Sequence, residues 1–276
     1  MNIYQTFRDF YSEYRGEKRI IGRSAEGRLL FAFFAGEHGG KTGIFQYAMH
    51  AREWVTSLLA LEHIARGVKY GGVWFIPLVN PDGALLCTNG IESVKDAERR
   101  KKLLRVNGGE DFSLWKANAD CVDLNVNFPA QWGKGASNVR ALAPHGYIGE
   151  CPLCAPESRA LADFTREIKA DYTVSWHTKG EEIYWRFGQD GARLKRDFEY
   201  AEALSKSVGY PLAEAPNSTG GYKDWCVETL KIPAFTVEAG SDKWKHPLGE
   251  EALPELINNC GNAALDLTEF VWKRGS

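Results

Sequence analysis

Three ionisable side chains stand directly after short apolar runs: His50 after Gly43–Met49, His177 after Tyr172–Trp176 and Glu238 after Ala234–Val237. Each run is rich in β-branched and aromatic residues and reads as a strand. Glu53 follows His50 by three residues, a step that puts both side chains on one side of a turn opening a helix. Imidazole and carboxylate groups are ligands for a borderline cation such as Zn²⁺, and a catalytic zinc uses three protein ligands and keeps a fourth position open. His50, Glu53 and His177 supply that set. Glu238 is then left as the general base that takes a proton from the attacking water and passes it to a leaving amine. On spacing alone the signal is weak. An HxxE pair in a chain with 6 His arises easily by accident, and a His or Glu at a strand end is ordinarily a hydrogen-bonded structural residue.

The elements that must position these groups follow from the rest of the pattern. Further strands are expected at Arg19–Gly22, Leu29–Ala35 and Val73–Val79, and helical spacing runs through Trp54–Val68, Glu157–Ile168, Leu194–Val208 and Leu253–Val271. Strands alternating with helices define an α/β fold around a mixed, largely parallel central sheet flanked by helices. The first two runs, joined by Arg23-Ser-Ala-Glu-Gly27, read as an antiparallel hairpin. No repeat or linker divides the chain, so residues 1–276 are expected to form a single catalytic domain. In open α/β sheets ligands bind beyond the carboxyl ends of the strands, so the three strand-end groups converge if their strands are parallel neighbours.

Composition narrows the partners. A 276-residue chain with 44% hydrophobic residues can build a sizeable core, and 34 Lys plus Arg against 36 Asp plus Glu leaves a net charge of −2, with no global field for nucleic acid. The amino terminus is charged throughout, without the apolar segment of a secretory leader, and nothing approaches the length of a membrane span; a cytoplasmic protein is expected. The six cysteines are too sparse for a disulfide framework, and Cys151-Pro-Leu-Cys154 is expected to be two loop thiols rather than a zinc or redox motif. The basic run Lys95–Arg105 reads as a solvated helical face, with a rim for an anionic ligand as the alternative, and no strand is expected after it until about Val122. Trp132, Trp176, Trp185 and Trp225 are assigned to core packing before any substrate groove.

A wider set of residues resembles the zinc carboxypeptidase family. His50-Ala-Arg-Glu53-Trp54, Asn80-Pro-Asp-Gly83, Asp123-Leu-Asn125-Val-Asn127-Phe, Ser175-Trp-His177 and Thr236-Val-Glu238 occur in the order and at about the separations of that family. The resemblance implies one zinc per chain held by His50, Glu53 and His177, Glu238 as general base, and Asp123 as the carboxylate that orients the His50 ring. It also implies that Arg52 lines the substrate site beside the scissile carbonyl and that Asn125 helps to hold the substrate's terminal carboxylate.

The departures are as informative. Val126 stands where typical members carry an arginine whose planar fork grips a C-terminal carboxylate, and Lys116 stands for the arginine that steadies the oxyanion. The family's mobile tyrosine falls near Pro216. Lys223 occupies the position that sets side-chain preference in digestive members, where a lysine favours an anionic side chain; the other reading is a surface lysine in a Gly-rich loop. Taken with the basic run, these segments resemble the bacterial branch that cuts peptidoglycan stem peptides between γ-D-glutamate and a diamino acid such as meso-diaminopimelate. The resemblance thus implies a small peptide or muropeptide substrate. A conventional carboxypeptidase releasing L-residues and a non-catalytic peptide-binding module are the alternatives, and oligomeric state is not legible.

Overall fold

In the computed structural model, which describes residues 2–275, the apolar runs pair into one eight-stranded sheet. In chain order the elements are α1 (Ile3–Glu13), β1 (Lys18–Arg23), β2 (Leu29–Gly36), β3 (Thr42–Tyr47), α2 (Val55–Arg66), β4 (Gly72–Ile76), α3 (Pro81–Asn89), α4 (Ala97–Asn107), α5 (Pro156–Glu167), β5 (Tyr172–His177), β6 (Glu182–Tyr184), α6 (Gly191–Val208), β7 (Leu212–Ala213), α7 (Tyr222–Trp225), β8 (Ala234–Glu238), α8 (Leu253–Cys260) and α9 (Ala263–Gly275). The strand order is β1-β2-β4-β3-β5-β8-β6-β7. Its centre, β4-β3-β5-β8, is parallel, while β1-β2, β2-β4 and β8-β6 are antiparallel. The fold is therefore the expected mixed α/β sheet with flanking helices.

Both faces of the central strands are covered, which is why they read as continuous apolar runs rather than alternating ones. Side chains still alternate between the two layers. Along β4, Val73 and Phe75 pack into the layer that holds α2, α6 and α9, whereas Trp74 and Ile76 join the opposite layer with α4 and α5. A fully buried aromatic such as Phe75 contributes about 1.5–3 kcal/mol relative to exposure.

Several boundaries differ from expectation. β3 stops at Tyr47 rather than Met49 because Ala48 turns to a left-handed φ of 49°, and β4 stops at Ile76 rather than Val79. The released segments then bond each other: Val79 N–H donates to Tyr47 O (3.1 Å) and Asn80 N–H to Ala48 O (3.2 Å). The single helix expected over Leu253–Val271 is two helices, α8 and α9. At the break a Cβ on Gly261 would lie 2.8 Å from Cζ of Arg66, whose guanidinium donates to Asn262 Oδ1. The strand expected near Val122 is absent; Leu124–Val126 is a 3₁₀ turn capped by Asp123. Among the described residues no helix is long and apolar enough to cross a membrane.

The basic run forms α4, and its charges are matched locally. Arg99 pairs with Glu26 and Asp120, Arg100 with Glu92, Lys101 with Glu98 and Lys102 with Asp120. It is a solvated face tied to its neighbours and lines no part of the site described below, so it lends no support to an anionic substrate. Cys151 and Cys154 lie in a turn closed by Cys154 N–H donating to Cys151 O (3.2 Å), with Cys151 exposed; all six cysteines are free. Trp176, Trp185 and Trp225 are core residues, and Trp132 donates its indole N–H to Ile148 O (3.0 Å).

Candidate active site

β3, β5 and β8 are parallel neighbours, so their carboxyl ends lie side by side. His177 and Glu238 face each other in register at the ends of β5 and β8, and His50 sits three residues past the end of β3. The turn that carries Glu53, Ala51–Glu53, is 3₁₀ and leads into α2. Its first amides are satisfied from outside: Ala51 N–H donates to Lys116 O (3.1 Å) and Arg52 N–H to Trp115 O (2.9 Å). That same docking brings Lys116 to the site. Asn80, the cap of α3, holds the turn from below by donating to Met49 O (3.2 Å) and Ala117 O (3.1 Å).

His50, Glu53 and His177 converge, all three buried, with one ligand atom from each within 4.8 Å of the others. Glu53 Oε1 lies 2.9 Å from His50 Nδ1, Glu53 Oε2 lies 2.9 Å from His177 Nδ1, and the two Nδ1 atoms are 3.1 Å apart. Asp123 Oδ1 stands 3.3 Å from Nε2 of His50. That carboxylate draws the ring proton to Nε2 and leaves Nδ1 with a lone pair aimed at Glu53 and His177. An acceptor carboxylate and imidazole lone pairs converging on one point repel one another unless a cation lies between them. Ligands about 2.0–2.1 Å from a tetrahedral zinc lie roughly 3.3 Å from each other, close to the edges observed. The residues present therefore fit the metal.

The electrostatics follow from burial and crowding. Burial works against ionisation of Glu53, but His50 and His177 outweigh it and hold the carboxyl well below its ordinary range. Asp123 is likewise driven down, against its burial, by His50 and Lys116. Burial lowers the pKa of His177. Glu238 goes the other way: burial first, then the negative Glu53, push its carboxyl up to about 8, against the pull of His50 and Lys116.

A cavity of about 310 Å³ opens over these groups, lined by His50, Lys116, Asp123, Asn125, Val126, Lys223 and Glu238. Lys116 forms no ion pair with any described residue. Asn125 is already used in part, since its Oδ1 accepts from Tyr222 N–H (3.2 Å). Lys223 is not a free surface lysine: its ammonium lies 2.5 Å from Asp224, donates to Arg186 O (3.1 Å) and rides over the Phe187 ring. Pro216 lies outside this cavity, on shallower clefts beside it. Arg52 does not line this cavity; it is half-buried, and its Nε has no hydrogen-bond partner among the described residues. A larger cleft of about 470 Å³, lined by Lys41, Tyr70 and Trp272, lies at the opposite ends of β3 and β5, away from the cluster.

Sequence reasoning passed over Tyr184, His145 and His246. Tyr184 lines the cavity because β6 pairs with β8, and a three-residue strand gives almost no periodicity to read. His145 enters on a long loop, and no pattern marks it. His246, whose charge is opposed first by burial and then by Arg52, Lys179 and Lys116, carries only the loop signal of Pro247 beside it.

Fold and cluster together define a metallopeptidase architecture. The chain belongs to the zinc carboxypeptidase family, which matches residues 3–258. It is 35% identical over 232 residues to the γ-D-glutamyl-L-diamino acid endopeptidase 1 of Lysinibacillus sphaericus, covering 77% of this chain and 58% of that protein, so the chain spans a little over half of the relative's length. Its fold is shared with bovine thrombin-activatable fibrinolysis inhibitor (TM-score 0.75, 19% identity, 98% of this chain and 95% of that one). The murein-tripeptide amidase MpaA of Escherichia coli O157 is also similar (TM-score 0.61, 22% identity, 91% and 92% covered). Zinc is the metal of the family, and the His50-Glu53-His177 cluster matches its binding triad.

Proposed function

We propose that this chain is a zinc metallopeptidase that hydrolyses the amide bond between γ-D-glutamate and a diamino acid, meso-diaminopimelate, in peptidoglycan stem peptides. The observation that carries the substrate is Val126 in the wall of the cavity, where a C-terminal carboxylate would need a cationic fork. Diaminopimelate can carry an amide-linked D-alanine on that carboxyl, so an apolar wall suits it. The Lysinibacillus relative, named for γ-D-glutamyl-L-diamino acid cleavage, points the same way.

His50, Glu53 and His177 hold the metal, and Asp123 fixes the His50 tautomer. When bound, Zn²⁺ polarises the scissile carbonyl and lowers the pKa of water. Glu238 accepts the proton of the attacking water and returns it to the leaving amine; burial and the neighbouring Glu53 raise its carboxyl, which strengthens it as a proton acceptor. Lys116, which lines the cavity and has no ion pair among the described residues, and Arg52, which follows His50 by two residues, stabilise negative charge on the carbonyl oxygen. Asn125 and Lys223 bind the diamino acid, Lys223 meeting its side-chain carboxylate while sharing its charge with Asp224.

The test is mass spectrometry of L-Ala-γ-D-Glu-meso-diaminopimelate incubated with the protein, with and without a chelator. Release of L-Ala-D-Glu and free diaminopimelate, stopped by chelation, is expected. Cleavage instead of blocked C-terminal dipeptides, with the tripeptide untouched, would return the chain to conventional carboxypeptidase chemistry.

A further inference from the structure

Beyond the carboxyl ends of β5 and β8, the 178–181 turn and the loop that follows Glu238 run side by side. Ala239 N–H donates to His177 O (2.8 Å), Gly180 N–H to Gly240 O (2.9 Å) and Glu181 N–H to Glu238 O (2.8 Å). The turn carries Lys179 and the loop carries His246, so both side chains belong to segments that start from a metal-ligand strand and a general-base strand. His246 lies within electrostatic reach of Lys179, Arg52 and Lys116, three cations, and of the single carboxylate Glu53. The Nδ1 of His246 is buried with no hydrogen-bond partner among the described residues, and so is the Nε of Arg52. Lys179 is mostly buried, and its counter-ion Asp242, 2.6 Å away, is 82% exposed, so that pairing is held in water and is weak. Of the three cations, Lys116 lines the cavity that holds Asn125, Val126 and Lys223, whereas Lys179, Arg52 and His246 do not. Lys179 and His246 thus bring positive charge and an unpartnered imidazole nitrogen to the paired segments beyond the metal-ligand and general-base strands.

An excess of cations beside a buried guanidinium N–H and an imidazole nitrogen that both lack partners calls for an anion. A γ-linked glutamate provides one that an ordinary α-linked peptide does not. Its α-carboxylate stays free on the acyl side of the scissile bond, separated from the scissile carbonyl by three carbon atoms. We infer that Lys179 and His246 form a subsite for this free α-carboxylate, selecting γ-glutamyl over α-linked acyl groups. The inference rests on the proposed γ-glutamyl activity and adds what recognises its acyl half. Lys179 exchanges its exposed partner Asp242 for the substrate carboxylate, and the buried His246 Nδ1 gains a partner.

The experiment compares two substrates that share the same scissile bond: L-Ala-γ-D-Glu-meso-diaminopimelate and its analogue with the glutamate α-carboxylate converted to a carboxamide. The zinc-loaded wild-type protein is expected to prefer the carboxylate by about tenfold or more in kcat/KM, in line with a charge-assisted hydrogen bond. Lys179→Met and His246→Gln are each expected to reduce that preference toward unity while leaving kcat/KM on the carboxamide within about twofold. A general loss of structure would lower both substrates together and leave their ratio intact. Equal cleavage of both substrates by the wild type, or variants that keep the full preference, overturns the subsite and leaves the γ-glutamyl activity standing. Cleavage of neither overturns both.

Discussion

Two clusters of buried polar side chains sit beyond the carboxyl ends of the central strands. In the first, Asp82, at the start of α3, accepts from Ser24 Oγ (2.8 Å), Glu26 N–H (2.8 Å) and the Arg28 guanidinium (2.6 Å). Beside it Glu157, at the start of α5, accepts from Ala25 N–H (3.0 Å) and Asn118 Nδ2 (2.8 Å). This cluster ties the β1-β2 turn to two helix amino termini, where negative charge is favoured, and each carboxylate has its donors. The second cluster is His50, Glu53, His177 and Glu238, in which acceptors crowd one another and His177 Nε2 is buried without a partner among the described residues. Both contain a carboxyl raised by burial, Glu157 to about 7 and Glu238 to about 8. A perturbed pKa therefore does not separate the structural cluster from the chemical one. Saturation does: the first is complete in itself, and the second needs a cation and a substrate to complete it.

The largest effect that tests this contrast is Glu238→Gln. It is expected to lower kcat by about 10²–10⁴-fold while zinc content stays at one equivalent, read by steady-state kinetics and elemental analysis. Turnover within tenfold of wild type would remove Glu238 from proton transfer. Next comes Asp82→Ala, which removes a fully buried carboxylate and leaves the partly buried Arg28 without its partner. It should cost roughly 3–5 kcal/mol of stability in denaturant unfolding, with the same loss in the presence and absence of zinc. A loss that depended on zinc would mean that the two clusters are coupled and that the distinction is wrong.

How much of this was legible depends on the kind of signal. The parallel neighbours β3, β5 and β8 were readable because strands buried on both faces write unbroken apolar runs, and their ends point to His50, His177 and Glu238. α1 was readable in principle: Ile3, Phe7, Phe10, Tyr11 and Tyr14 face the core at helical spacing after the Asn2 cap, but the charged residues between them drew attention to export instead. β6 and β7, of three and two residues, carry no periodicity at all. The matched charges of α4 were half-legible, since a basic run does not show that Glu26 and Asp120 will neutralise it. His63 illustrates the limit for single residues. Its Nδ1 meets Tyr47 OH (2.6 Å), its Nε2 donates to Cys260 O (2.8 Å), and burial lowers its pKa to about 4, so it is a neutral structural histidine. Nothing in its type distinguishes it from His50; only partners contributed by distant segments do.

Asp123 sharpens the same point at smaller magnitude. Asp123→Asn keeps the shape but no longer fixes the proton on His50 Nε2, and zinc affinity should fall about 10–100-fold in competition with a chromogenic chelator, with stability little changed in excess zinc. Unchanged affinity would show that Asp123 acts only as the cap of the 3₁₀ turn, whose Asn125 N–H donates to it (3.2 Å).

The last effect belongs to the structural cluster and appears in its pH dependence, at most about 1.4 kcal/mol for each pH unit. Burial first, and Asp82 second, raise Glu157 from 4.5 to about 7 in the folded chain. Between those values the folded state holds a proton that the unfolded state has released, so ν_N exceeds ν_U and stability falls as pH rises. The contribution is fully present below about pH 4.5 and is lost as pH passes through 7, with a slope of at most about 1.4 kcal/mol per pH unit. Glu157→Gln cannot release a proton, so its stability measured by urea unfolding should lack this downward component between pH 5 and 7. If the variant kept the wild-type slope, the titrating group would have to lie elsewhere, and Asp82, raised by its own burial despite Arg28, would be the carboxyl to replace next.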